Sequence, residues 1–295
     1  MASFKDKRTG IISAVEFKKP SVKLFYAIMF LFAVIIALIC LIPPLWIMIS
    51  AFKDTKEFFR IPPTIIPESF DAEKLVRVWN ETDFGKSFIN SIIITAGSVV
   101  STLIITGAAG YVLSRLKPKG TTVIMMLVLW TIMFPNTINT VPLFMTFIDM
   151  PLIHVNLVNS YIPFWMMAGA NAFNILLFKN AFDAISISLI EAARIDGCSD
   201  GGIFTKIVLP LSKPIVMTVT VFTVNANWGA FYWPFLLLKN SAMYPVGQVL
   251  YNLKTLVTID EYMVALLFVI LPPSLIFILF QRYIVGGVNV GGVKG

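Results

Sequence analysis

Glu191-Ala-Ala-Arg-Ile-Asp-Gly197, followed nine residues later by Ile207-Val-Leu-Pro210, stands between two apolar runs at 157–178 and 214–238. Leu189 to Ile195 favours helix, Gly197 can end that helix in a left-handed conformation, and Leu209-Pro210 marks the return toward the next apolar run. Each flanking run has the roughly 20 residues needed to cross a hydrocarbon core about 30 Å thick. The stretch therefore predicts a short helix held parallel to a membrane surface. An ordinary connection in a membrane bundle is shorter and rarely carries an Ala-Ala helix with an acidic start.

Four further runs of the same kind lie outward from this pair, at 24–50, 88–113, 121–148 and 262–281, and none of the six contains Asp, Glu, Lys, Arg or His. The chain is 57% hydrophobic with a mean hydropathy of +0.83, and only 13% of it is charged, about half the share of a soluble domain. The expected fold class is an all-α integral membrane protein with about six transmembrane helices. The first run follows a basic arm (Lys5, Lys7, Arg8, Lys18, Lys19, Lys23) but is too long for a signal peptide and lacks a small-residue cleavage site, so it reads as a retained helix. With the N-terminus inside, 15 Lys and Arg fall in inner segments and eight in outer ones. Six of those eight lie in the long 51–87 loop, leaving only Lys239 and Lys254 in the short outer loops. Both termini are expected in the cytoplasm.

Topology thus accounts for the net charge of +7, and no basic soluble surface of the kind that binds nucleic acid is present. Cys40 falls inside the first run and Cys198 in a reducing inner loop, so neither a disulfide nor a metal site is expected. The first run is followed by a polar stretch, Lys53 to Ser87, with prolines at 62 and 63 and an amphipathic helix expected near 71–80. The short basic turn at 115–120 predicts a tight hairpin of the second and third helices. Pro135 and Pro142 interrupt the third, with Asn136, Asn139 and Thr140 between them, and such a break must face protein, water or a cavity. The stretch 239–261 is short enough to close over a pore mouth.

The pattern Glu-Ala-Ala, three residues, Gly, nine residues, Ile-x-Leu-Pro resembles the coupling loop of type I ABC importer permeases. The end of the chain, Phe280-Gln-Arg-Tyr-Ile-Val-Gly-Gly-Val-Asn-Val-Gly-Gly-Val-Lys-Gly295, is similar to the tail of carbohydrate-class permeases, particularly the smaller membrane subunit of maltose-type importers, and departs from related tails at 287–290. The resemblance covers 87–295; residues 1–86 match in arrangement only. It implies a cytoplasmic arm, first helix and outer loop at 1–86, a permease core at 87–285 with its coupling loop at 183–210, and a cytoplasmic tail at 286–295. It further implies that Glu191, Ala192, Ala193, Asp196 and Gly197 form the joint with a separate ATPase, which binds ATP and Mg. The implied partners are a second homologous permease, two ATPase subunits, an extracellular solute-binding protein and a carbohydrate solute.

Hydrolysis in this chain itself is not expected, because Gly85-Lys86-Ser87 has Asn80 where a phosphate-binding loop needs its first glycine. For the solute path, Thr218, Asn225, Trp228 and Tyr232 recur at roughly helical spacing, and amides with aromatic rings suit a neutral sugar. The same aromatics suit an interfacial belt equally well. Asn136, Asn139, Asn171 and Asn174 are further candidates for the path, whereas the lone His154 in an outer loop suggests no metal. Two alternatives stay open at this point: a secondary transporter or channel without an ATPase, which the uncharged spans disfavour, and an ABC permease for a non-sugar solute. A membrane enzyme would need a clustered acid, base or metal set that the sequence lacks.

Overall fold

The computed structural model describes residues 20–135 and 137–288, with backbone alone from residue 283. The basic arm up to Lys19, Asn136 and the tail beyond 288 lie outside the described residues. Everything regular among the described residues is helical. In chain order the elements are α1 Pro20–Ser50, α2 Glu73–Glu81, α3 Phe84–Tyr111, α4 Thr121–Met133, α5 Thr140–Ile148, α6 Ile162–Gly169, α7 Ala172–Asp183, α8 Ile187–Ile195, α9 Asp200–Leu211, α10 Lys213–Trp228, α11 Tyr232–Leu237, α12 Val246–Leu253 and α13 Ile259–Val288.

Only three of the six apolar runs form helices that could cross a membrane unbroken, namely α1, α3 with its wide final turn through Leu116, and α13. The other three runs are each split. The third breaks between α4 and α5, where Pro135 has no N–H to continue the ladder. The fourth breaks between α6 and α7 at Ala170 and Asn171, and the fifth between α10 and α11 at Gly229 and Ala230. A 13-residue helix such as α4 spans only about 20 Å, too little to cross alone.

The helix α3 is central and packs against α6, α7 and α10; α10 in turn packs on α13, and α1 lies on the far side of α13. The buried stripe of α3 explains why: Ser91, Ser98, Thr102, Thr106 and Gly110 are small and recur at seven- and then four-residue spacing, which lets neighbouring backbones approach where lipid offers no hydrophobic drive. At Gly110 another helix's backbone comes close, since a Cβ there would stand 2.7 Å from Phe178 Cβ and 3.0 Å from the Lys179 backbone nitrogen. The expected hairpin of the second and third helices is corrected. Lys117 (φ 45°) and Gly120 (φ 89°) turn the chain away, so that α4 packs on α7.

Beyond α1, α2 forms where an amphipathic helix was expected. Its Lys74 is 1% exposed, donates to the Lys53 carbonyl and sits 3.3 Å from Asp260 at the start of α13. Thr55 donates to the other Asp260 oxygen, and Lys53, equally buried, donates to the Thr64 carbonyl with its ammonium 4.0 Å from the Trp46 ring centroid. A polar loop is thereby locked to two spans. The 239–261 stretch is pinned to α3 as well: Asn90 donates to the Ala242 and Tyr244 carbonyls at 3.0 and 3.1 Å, and the Val246 N–H donates to Ser91 Oγ at 2.9 Å.

Candidate functional site: a helical joint and an asparagine-lined cavity

The loop at 183–210 leaves the bundle at right angles. The axis of α8 is bent 78° from α7, and that of α9 is bent 81° from α10. The bend at Gly197 has a full set of backbone bonds: Cys198 N–H reaches Ala193 O at 2.9 Å and Gly197 N–H reaches Arg194 O at 3.0 Å, with Gly197 at φ +79°. That closure favours glycine, because a left-handed residue with a Cβ costs about 1–2 kcal/mol. Re-entry comes slightly later than Leu209-Pro210 suggests. A wide turn at Phe204–Val208 carries helix on to Leu211, and the chain turns at Ser212 with Pro214 opening α10.

One side of this joint is fixed to the membrane body. Ile190, Ala193, Ile203 and Val208 join Tyr111, Phe178, Phe182 and Val219 in one apolar cluster. Ala193 therefore faces the spans, at 8% exposure, whereas Glu191, Ala192, Asp196 and Gly197 face away and are exposed. Ile195, not singled out from the sequence, is 86% exposed on the outward side, and Arg194 pairs with Asp200 at 2.9 Å beside it. The available signal was an apolar residue placed directly before the Asp-Gly ending of a short helix.

Toward the middle of the bundle, the two breaks face each other across a cavity of about 330 Å³. Asn171, Asn174 and Asn225 line it, joined by Thr102, Thr223 and Asn227. The last three were missed, although Ser98, Thr102 and Thr106 form a legible polar stripe in an apolar run. The cavity lies between the first turn of α7 and the last turn of α10, so it meets N–H groups at one helix end and carbonyls at the other. Asn171 caps α7 by accepting from the Asn174 N–H at 2.9 Å. Hydroxyls of α3 satisfy carbonyls near the α6 break, Ser101 donating to Trp165 O at 2.6 Å and Thr102 to Ala168 O at 3.0 Å. Asn227 Nδ2 donates to Thr223 O at 2.8 Å while its Oδ1 accepts from Ser98 at 3.2 Å. Asn174 is 6% exposed, and among the described residues its side-chain amide has no partner within the chain.

The remaining candidates sit elsewhere. Asn139 is exposed in the turn before α5, and Asn136 lies outside the described residues. The expected shared face of Thr218, Asn225, Trp228 and Tyr232 does not hold, because the helix breaks at Gly229 and Tyr232 begins the next one. Thr218 bonds back to Pro214 O at 2.9 Å. Trp228 is buried against Phe88, and its indole N–H donates to Val269 O at 3.0 Å. Pro273 cannot donate to that carbonyl four residues earlier, so the indole supplies the missing bond. His154 pairs with Asp149 at 3.0 Å in an exposed turn.

A bundle of discontinuous spans, with a polar cavity between half-helices and a right-angled helical joint at one end, defines a multi-pass membrane permease. The chain belongs to the family of binding-protein-dependent transport system inner membrane components, whose pattern matches residues 106–290. It is an inner-membrane permease of an ABC importer and not itself the ATPase, which removes the secondary-transporter alternative. It is 32% identical to an arabinooligosaccharides transport system permease protein of Halalkalibacterium halodurans, over 88% of this chain and 93% of that one. It is 28% identical to a polygalacturonan/rhamnogalacturonan transport system permease protein of Bacillus subtilis, over 92% and 99%. Its fold is similar to a chain in the crystal structure of a bacterial ABC transporter involved in the import of the acidic polysaccharide alginate, with a TM-score of 0.76, 27% identity and coverage of 91% and 99%.

Proposed function

We propose that this permease forms half of the translocation path for a carbohydrate-type solute, an oligosaccharide by preference, and is driven through its α8 joint by separate ATPase subunits. The observation that carries the solute reading is the 330 Å³ cavity, in which carboxamides, hydroxyls and two helix ends offer donors and acceptors together and no formal charge. That mixture suits a polyhydroxylated neutral ligand, whose every group both donates and accepts. The volume sits at the low end of the roughly 300–1,000 Å³ usual for ligand pockets, as fits a half-site completed by a second, homologous permease. The systems named for its relatives support a carbohydrate solute but not its charge, since arabinooligosaccharides are neutral whereas polygalacturonan and alginate are acidic. A permease for a non-sugar solute is the competing reading, and uptake assays with the two solute classes separate them.

On the inner side, Glu191, Ala192, Asp196, Gly197 and the protruding Ile195 form the surface that meets one of two ATPase subunits carrying ATP and Mg, while Ala193 anchors the joint. An extracellular solute-binding protein delivers the sugar to the opposite face, and both termini lie in the cytoplasm. The test is Gly197→Asp in the assembled complex. The variant should insert and assemble while ATP hydrolysis is uncoupled from uptake, and normal uptake would refute the coupling role. Cysteine accessibility at Lys117 and Lys254 reports the orientation separately.

A further inference from the structure

A second cavity, of about 820 Å³, opens between α4 and α7 at the 115–120 turn. The turn joins two apolar helices and therefore lies at headgroup depth, whichever leaflet it faces. Arg115, Lys117 and Lys179 stand at one end of the cavity, and Met125, Met126 and Leu129 continue it along α4. Lys179 is paired with Asp183 at 2.5 Å, so those charges cancel. The other two cations are not neutralised among the described residues. Arg115 donates only to the Phe182 and Ile185 carbonyls, and its Nε is buried without a partner; Lys117 is exposed and makes no ion pair. The first turn of α4 starts at the same place; its Thr121 and Ile124 N–H groups bond the Pro118 and Gly120 carbonyls, and those of Thr122 and Val123 have no carbonyl one turn earlier.

We propose that this groove binds an anionic phospholipid, with its phosphate between Arg115 and Lys117 and the start of an acyl chain along Met125, Met126 and Leu129. Basic pockets at the membrane level between spans bind such headgroups. From Thr121 to Leu129 the helix rises roughly 12 Å, enough for the glycerol backbone and the first methylenes. The apolar wall is what selects a lipid over a free phosphate, which would leave it uncovered. It also requires some apolar cover, because α4 buries none of its own residues in this chain.

The test uses the whole importer complex in mild detergent, with phosphatidylglycerol and phosphatidylcholine supplied in equal amounts and bound lipid counted by native mass spectrometry. Phosphatidylglycerol should be retained in preference, Lys117→Gln should lower that retention about five-fold, and Lys254→Gln on an exposed outer loop should leave it unchanged. The Lys117 side chain makes no bond within the described residues, so the variant tests the charge alone, whereas Arg115→Gln also removes the bonds to the Phe182 and Ile185 carbonyls. A photoreactive residue at Leu129 should capture lipid. Equal retention of the two lipids, or no effect of Lys117→Gln, overturns the proposal. So does displacement of the lipid by excess inorganic phosphate, or capture of a polypeptide at position 129, which would assign the groove to the second permease.

Discussion

Ala192 and Ala193 are adjacent, chemically identical and about 100° apart around α8, so one carboxylate placed at each separates anchoring from coupling. Ala193 is 8% exposed and packs among Phe178, Phe182, Ile190 and Val208. An unpaired carboxylate there costs about 3–5 kcal/mol, or is protonated at a comparable expense. At about 2–4 °C per kcal/mol, Ala193→Asp should lower the melting temperature of the assembled complex by at least about 6 °C. Ala192 is exposed and outside the cluster, and substitutions of that kind stay within about 0.5 kcal/mol. Ala192→Asp should therefore melt within about 2 °C of the parent. It should nonetheless lose ATP-driven uptake, because it puts charge on the face proposed to meet the ATPase. Melting followed by fluorescence-detected size exclusion, with uptake in proteoliposomes, gives both readouts. Equal melting shifts would refute the assigned orientation of α8, and normal uptake by a stable Ala192→Asp complex would refute the coupling surface.

Gly110→Val should cost about 1–3 kcal/mol, since its Cβ meets Phe178 Cβ at 2.7 Å and the Lys179 backbone at 3.0 Å; an unchanged melting temperature would mean that α3 and α7 are not in this contact. Asp260→Asn leaves Lys74 buried without its carboxylate 3.3 Å away, and limited proteolysis of the detergent-solubilised complex should then cut the 51–81 segment at least tenfold faster, the ratio expected for about 1.4 kcal/mol or more of lost local stability. Burial pushes the Glu57 carboxyl up, but hydrogen bonds from Thr64 (2.8 Å) and the Glu68 and Asp54 N–H groups (3.1 and 3.3 Å) outweigh it and hold the pKa below the ordinary 4.5. Its stabilisation is thus complete above the unfolded value and lost as pH falls through the folded one, so acid melting curves of Glu57→Gln should be flatter than those of the parent, and parallel curves would refute the assignment.

The apolar runs were legible because lipid penalises every charge and every unsatisfied backbone group, leaving about 20 uninterrupted residues as a signature. The joint was legible because Gly197 must be left-handed and Glu191-Ala-Ala must be helical between two runs. What hydropathy does not register is a break made of uncharged residues. Ala170-Asn171 and Gly229-Ala230 barely lower the mean over a window of spanning length, yet each ends a helix, and the third run announced its break only through proline. At the first break the cost is met from another helix, Ser101 and Thr102 bonding the Trp165 and Ala168 carbonyls, and beside the second Ser98 of α3 holds the Asn227 side chain. Those partners are distant in sequence, so helical spacing on α10 alone put Trp228 and Asn225 on one face. The indole instead serves a carbonyl that Pro273 leaves without a donor, and the amide lines the cavity. Polarity in this bundle thus follows the breaks. Residues that satisfy freed backbone, such as Trp228 and Thr102, are held by those bonds, whereas Asn174, buried and without an internal partner for its amide, leaves hydrogen-bonding capacity open to the cavity.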